Sequence, residues 1–454
     1  MNAIAAAPFV FFGIEKVMKG FLFALTFAPI LFAKILISEC SADDWSQWRG
    51  NFRDGKWTES GIISKFSKED LKPRWKKSVG TGYSSPTVAG DTVLLMDYNE
   101  STEKESIRCF NARTGKQEWE RTYLAPYTIS YTAGPRAAVT IDRGLAYAFG
   151  AMGMLHCIDI RSGKVQWEKD LNAEYRISKD KRMPIWGLAS SPLVHQGVLI
   201  LQIGAKDASV IGLDSSSGEE LWKSLDEPAH YSSPVIVKQN EKDVVVCWTG
   251  KSVAGLDPLK GTVHWRHPFR PQRMPIGVAT PVIKDNKIFL TSFYDGSMML
   301  EMSETEMAVK QLWHLVGENE RSTKAIHSII STPIWIDDYI YGVDSHGELR
   351  CLAAETGERV WVDLTAVKKD RWGTIHFVGH GDDVWMFNEQ GELMIGALDP
   401  SGLEIKSRAS VLEPNQMRRP NRQGGVCWSH PAFANKCVFL RNDKELICIS
   451  LAEK

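Results

Sequence analysis

A chain of 454 residues is long enough for two or three average domains, and its formal net charge of −1 leaves no global field that would draw in nucleic acid. Apolar residues make up 43% and charged residues 24%, which excludes a disordered chain and allows a large buried core. The unusual entries are 36 glycines and 16 tryptophans, and their placement carries most of the information.

Residues 1–42 read as an export segment. Met18-Lys19-Gly20 sets a basic flank before the apolar run 21–33, the order of a secretory signal. Met18 is therefore as good a start as Met1. Lys34 interrupts the run and argues against a permanent membrane span. Cleavage after Ala42, with Cys40 at the −3 position, fits a small-x-small rule. Cys40 also opens a lipid-anchored alternative, although Glu39 stands where such a signal takes a small residue. The expected location is a periplasm or cell envelope, with membrane contact only through an uncleaved signal or lipid anchor. Residues 43–70 form a leader, whose Trp45 and Trp48 are expected to cover the outside or the end of the domain that follows.

From 71 to 454 one phrase recurs. Cys109-Phe110-Asn111-Ala112-Arg113-Thr114-Gly115-Lys116-Gln117-Glu118-Trp119 is echoed by Cys157…Asp159…Ser162-Gly163-Lys164…Trp167. The same frame returns at Gly212…Asp214…Gly218…Trp222, at Gly255…Asp257…Gly261…Trp265 and at Cys351…Thr356-Gly357…Trp361. Self-similarity at such a period marks a repeat architecture. A second signature alternates with the first: Ser84-Ser85-Pro86, Ser190-Ser191-Pro192, Ser232-Ser233-Pro234, Ala279-Thr280-Pro281, Ser331-Thr332-Pro333 and Ser429-His430-Pro431 each open a short apolar run. Gly134-Pro135 reads as a weaker copy, and Gly373-Thr374 fills the remaining slot. Alternation in runs such as 198–201 and 287–290 predicts half-buried strands.

Eight starts therefore predict eight units of four strands. Two units are degenerate: Glu304-Thr305-Glu306-Met307 replaces the turn glycine near Trp313, and Lys406 stands where a Trp is expected. Cys109, Cys157, Cys351 and Cys448 share one repeat position with Gly212, Gly255, Ser303 and Gly396, so a small side chain rather than a disulfide explains them. The last unit ends at Lys454 without its outer strand, and residues 71–80, around Trp75, supply it. The expectation is an all-β, eight-bladed β-propeller of four-stranded antiparallel blades, closed by an N-terminal strand, which leaves no unpaired edge blade.

The phrase resembles the tryptophan-docking motif of the pyrroloquinoline-quinone repeat family, which includes quinoprotein alcohol dehydrogenases and the outer-membrane assembly lipoprotein BamB. The resemblance runs from about residue 70 to the end. It implies the fold, but the family holds both enzymes and scaffolds. Its quinone enzymes use adjacent cysteines, a calcium site of Glu, Asn and Asp, an Asp base and a Trp platform. This sequence has no Cys-Cys pair, and Asp159, Asp214, Asp257 and Asp399 fall in the repeat frame, where they serve turns. Neither pyrroloquinoline quinone nor calcium is therefore expected. Gly379-His380-Gly381-Asp382-Asp383 reads as a hairpin turn rather than a phosphate loop.

One pattern rises above this background. The segments leading into the inner strands carry bases and rings: Arg182 and Trp186 before Ser190, Arg273 before Ala279, Lys324 and His327 before Ser331, His376 in the seventh unit, and Arg422 and Trp428 before Pro431. Tyr83, Tyr131 and Tyr231 stand at matching places. The repeat should bring these to one end of the ring near its axis, where cations would attract an anionic or polar partner. The expected function is an exported, monomeric, non-enzymatic BamB-like propeller that engages an envelope protein, peptide or polysaccharide through its loop face. A quinone-dependent oxidoreductase, or an enzyme with an unfamiliar site in the funnel, is the alternative.

Overall fold

The computed structural model describes residues 44–417 and 424–453. Eight four-stranded antiparallel sheets follow one another around a ring. Blade 1 is Thr87–Ala89, Thr92–Asn99, Lys104–Asn111 and Gln117–Leu124; blade 2 is Thr140–Asp142, Leu145–Phe149, Met154–Asp159 and Val165–Asp170. Blade 3 is Leu193–His195, Val198–Ala205, Ala208–Asp214 and Glu220–Ser224; blade 4 is Val235–Gln239, Lys242–Trp248, Ser252–Leu256 and Val263–Pro268. Blade 5 is Val282–Lys284, Lys287–Ser292, Gly296–Met302 and Val309–Leu315; blade 6 is Ile334–Ile336, Tyr339–Val343, Leu349–Ala353 and Arg359–Asp363. Blade 7 is Ile375–His380, Asp383–Asn388, Glu392–Asp399 and Gly402–Ser410. Blade 8 takes Ala432–Ala434, Cys437–Arg441 and Glu445–Ser450 from the C-terminal side and Pro73–Ser78 from the N-terminal side, with Trp75 opposite Cys448. The expected propeller and its closure are the architecture observed.

The hydrophobic core is a set of seams between blades. Met96 and Ile107 of blade 1 pack with Ala146 and Ile158 of blade 2, and Phe149 and Leu155 of blade 2 with Leu201 and Ile211 of blade 3. Val246 and Trp265 of blade 4 likewise meet Leu290 and Leu300 of blade 5. Each middle strand is buried on both faces, as Val198–Ala205 shows. No blade buries both its faces alone, so the repeat spacing sets the fold.

The tryptophans lock these seams. Trp119 lies opposite Cys109, Trp167 opposite Cys157, Trp222 opposite Gly212 and Trp361 opposite Cys351, and a β-bulge accompanies each pair. Trp119 Nε1 donates to Ile160 O of the next blade at 2.8 Å, and a Cβ on Gly163 would come 2.6 Å from the Trp119 ring. Gly163 has φ 66°, so the turn and the contact both require glycine. Trp75 makes the same contacts with Ala112 O and Gly115, so the closing strand uses the lock found at other seams.

Three positions correct the expected frame. The longer turn 303–308 puts Met299, not Ser303, opposite Trp313. In blade 7, Ser407 rather than Lys406 takes the tryptophan's place, opposite Ile395 rather than Gly396; Lys406 is the bulged residue and bonds Asp383. With no indole opposite, a large Ile fits there, and the leader's Phe66 donates its N–H to Ser407 Oγ and stacks on Trp385. In blade 2 the copy of Ser-Ser-Pro is Ala137-Ala138-Val139, not Gly134-Pro135. Ala138 N donates to Ser191 Oγ just as Ser191 N donates to Ser233 Oγ.

Candidate binding site at the ring axis

In a four-stranded meander, the turn between strands two and three and the connection to the next blade lie at one end. The other two turns lie at the opposite end. The leader comes in from that opposite end. Gly90 N, in the first turn of blade 1, donates to Asp44 Oδ1 at 2.7 Å; Ile141 N donates to Ser46 O at 2.8 Å, and Trp57 N to Gly379 O at 2.8 Å. Trp48 Nε1 reaches Thr280 Oγ1 at 2.8 Å. The Arg53 guanidinium donates to Ser191 O, Pro192 O and Pro234 O, tying blades 3 and 4 to the leader, and to Gln47 Oε1 at 2.7 Å. Burial pushes Arg53 down to about 9 and its neighbour Arg49 down to about 10. The leader thus fills one end of the axial channel.

Beyond Trp48 lies an axial cavity of about 120 Å³. In seven blades the residue four places before the innermost strand faces it: Tyr83, Arg136, Ala189, Tyr231, Val278, Ile330 and Trp428. Tyr131 and Trp186 join from further back along their connections, and Trp372 from three places before the innermost strand of blade 7. The rings form a connected collar, with centroid distances of 5.2 Å for Trp186–Tyr231, 5.3 Å for Tyr131–Trp372, 6.2 Å for Tyr131–Trp428 and 6.0 Å for Tyr83–Trp428. Among the described residues, Arg136 is the cation in this wall. Its Cζ lies 5.0 Å from the Tyr83 ring centroid, and its Nη1 donates to Gly134 O at 2.8 Å. Burial lowers the Arg136 pKa and pushes the Tyr83 and Tyr231 phenols up to about 12, so both phenols stay neutral near pH 7.

The structure brings together some of the residues singled out in the sequence. Trp186 and Trp428 line the cavity, with Tyr83, Tyr131 and Tyr231. Arg182 turns away and pairs with Asp226 at 2.7 Å. Arg273 is exposed and lies over the Tyr294 ring at 5.0 Å; Lys324 is exposed on its own connection. None of these three cations lines the axial cavity. His327 is buried in a structural role, with Nδ1 donating to Phe293 O at 3.0 Å and Nε2 accepting from Gly317 N. His376 Nε2 bonds Trp428 O at 2.9 Å, and its ring lies 4.8 Å from His430. Arg422 and the export segment 1–42 lie outside the described residues. Sequence reasoning missed Arg136 and Trp372. Counting four residues back from Thr140 finds Arg136, whereas counting from Gly134-Pro135 does not.

The turn carboxylates do what the frame implied. Asp159 Oδ1 accepts from Ser162 N and Oγ, Asp214 from Ser216 and Ser217, Asp257 from Leu259 N, and Asp399 from Ser401. Among the described residues, no group of three or more His, Cys, Asp or Glu side chains gathers as a metal site.

A family model described as outer membrane protein assembly factor BamB matches residues 57–181 and 103–363. The chain belongs to this family. No curated protein matches. Among solved structures, BamB from Moraxella catarrhalis is 16% identical over 85% of this chain and 98% of its own, with a TM-score of 0.56. A quinohemoprotein alcohol dehydrogenase from Comamonas testosteroni is 11% identical over 91% of this chain and 81% of its own, with a TM-score of 0.59. The computationally designed Ika8 protein is 10% identical over 82% of this chain and 98% of its own, with a TM-score of 0.50. A BamB, a dehydrogenase and a designed protein share this ring, so the likeness speaks for the fold alone.

Proposed function

We propose that this protein is an exported, non-catalytic propeller of the cell envelope, BamB-like in role, which engages a protein, peptide or polysaccharide partner through the end carrying the blade connections. The observation that carries this reading is the aromatic collar. Six rings from six different blade connections converge on the axis at that end, while the leader occupies the other. Tyr and Trp give large contact area for little lost side-chain freedom, and they dominate the energetics of interfaces.

The cavity wall does not fit pyrroloquinoline quinone with calcium. Among the described residues, its lining includes no carboxylate to hold the cation and no cysteine, and sets one guanidinium against a fused-ring tricarboxylate. The Ser191 and Ser233 hydroxyls of the wall each accept a neighbouring backbone N–H, and no His, Asp or Glu joins them among the described lining residues.

The test places a photo-crosslinking side chain at Ile185 or Lys324, on the connection end, and at Leu221, an exposed position on an outer strand. In envelope extracts, Ile185 and Lys324 should crosslink one discrete partner and Leu221 none. Dye-linked alcohol oxidation by the purified protein with quinone and calcium would overturn the reading, as would crosslinking from Leu221 alone.

A further inference from the structure

We propose that the axial cavity binds a small carboxylate carrying an apolar body of about one ring. The proposal rests on the reading of the connection end as the partner-facing end and names the chemistry that this site takes. Three observations lead to it. The first is charge. Arg136 faces the cavity and has no ion-pair partner among the described residues; its contacts are the Gly134 and Thr132 carbonyls and the Tyr83 ring. The two buried carboxyls behind the wall are committed elsewhere. Glu105 accepts from the Tyr123 and Tyr127 hydroxyls and from Ala151 N, and Asp443 accepts from Gly82 N and faces Arg441. A guanidinium held by dipoles alone in a low-dielectric wall favours an anion, and its fork matches a carboxylate.

The second observation is the balance of donors and acceptors. The indole N–H groups of Trp186, Trp372 and Trp428 are buried without an acceptor among the described residues. The Tyr231 hydroxyl already accepts from Trp186 N, and the Ser191 and Ser233 hydroxyls accept from Ala138 N and Ser191 N. The wall therefore offers donors and few acceptors. A sugar ring, with several hydroxyls to satisfy, suits it worse than a body whose only polar group is an acceptor. The third observation is size and shape. The cavity holds about 120 Å³ between flat aromatic faces, and an apolar cavity of about 150 Å³ admits benzene.

The experiment uses the mature protein with three probes of equal size: benzoate, benzyl alcohol and benzylammonium. Calorimetry and tryptophan fluorescence should show benzoate binding at least tenfold tighter than benzyl alcohol, with benzylammonium weakest. Glucuronate, which carries the same charge on a sugar ring, should bind more weakly than benzoate. Arg136→Gln should abolish the preference for benzoate over benzyl alcohol, and Arg136→Lys should restore part of it. Since Arg136 also holds two carbonyls, Trp372→Leu serves as a second variant, expected to weaken benzoate and benzyl alcohol alike. No benzoate binding at millimolar concentration, equal binding of all three probes, or an unchanged benzoate preference in Arg136→Gln would each overturn the proposal. A glucuronate preference would overturn the choice of an apolar body. Partner crosslinking at Ile185 is read separately, so it can survive failure of the cavity, and the cavity can survive failure of the crosslinking.

Discussion

Gln239 repairs a seam whose turn has lost its glycine. At several other seams an indole rests on a glycine and its N–H meets a turn carbonyl, as Trp222 does with Gly261 and Pro258 O. Blade 5 offers Trp265 no such glycine. Gln239 Nε2 instead donates to Ser303 O, Glu306 O and Ala308 O, while its Oε1 accepts from Trp265 Nε1 at 2.8 Å. Gln239→Ala strands that buried indole and the turn it holds, and the expected loss is ~1–3 kcal/mol, read from the shift in denaturant midpoint. An unchanged midpoint would show that the turn is held by its own backbone. His230 makes a different residue-scale prediction. Burial pushes its pKa down to about 3, and neither ring nitrogen has a partner among the described residues. Between its ordinary value and about 3 the unfolded imidazole takes a proton that the folded one refuses. Its stabilisation is therefore complete above about 6.5 and is lost as pH falls through that window. His376, lowered to about 4, acts in the same direction. Glu105, raised by burial, acts in the opposite one: its contribution is complete at low pH and is lost as pH rises through its folded value. Comparison with a variant isolates the imidazole, and His230→Phe should lose less Tm than the wild type between pH 6.5 and 4. Parallel curves would remove His230 from the acid sensitivity.

At the scale of the element, the outer hairpin carries the information that made the fold legible. Every unit must bury the same seam, so the Trp, the turn glycine and the small residue keep their offsets, and a reader can count blades from them. Register was less legible where a unit departs from the frame. The turn 303–308 and the blade 7 bulge shift the pairing by whole residues without changing composition, which is why Ser303 and Lys406 looked like the frame positions. The site was legible to the same extent. The rings beside Ser-Ser-Pro could be placed on the axis, but blade 2 begins with Ala137-Ala138-Val139, and Arg136 escaped with it. Charge alone did not give direction: Arg182 found Asp226 before it could reach the axis. The seam itself can be tested with two glycines of similar φ. Gly163 has φ 66° and faces Trp119, whereas Gly197 has φ 85° with nothing within 4 Å of an added Cβ. Both alanine variants carry backbone strain, but Gly163→Ala should cost ~1–3 kcal/mol more, since its methyl meets the indole. Equal losses would mean that the indole can move aside without cost.

For the whole molecule, the leader and the closing strand make two separable contributions to one ring. Pro73–Ser78 supplies the outer edge of blade 8 and the Trp75 lock on blade 1. Without it, the strand Glu445–Ser450 becomes an exposed edge with an unfilled seam beside it, the arrangement that invites pairing between molecules. Residues 44–57 supply no blade strand, but they carry Trp45 against Phe433, Trp48 against Thr280 and the Arg53 bonds to blades 3 and 4. A chain beginning at 58 should therefore still fold as a monomer with native β signal, at a lower Tm. Its indoles near the axis should become more accessible to a soluble quencher, because Trp48 no longer closes that end. A chain beginning at 79 should not reach a stable monomer, and size-exclusion chromatography should find it aggregated. Equal melting of the chain beginning at 58 and the mature chain would mean that the leader only covers the ring. A monomeric, cooperatively melting chain beginning at 79 would mean that the other seams hold the ring without closure.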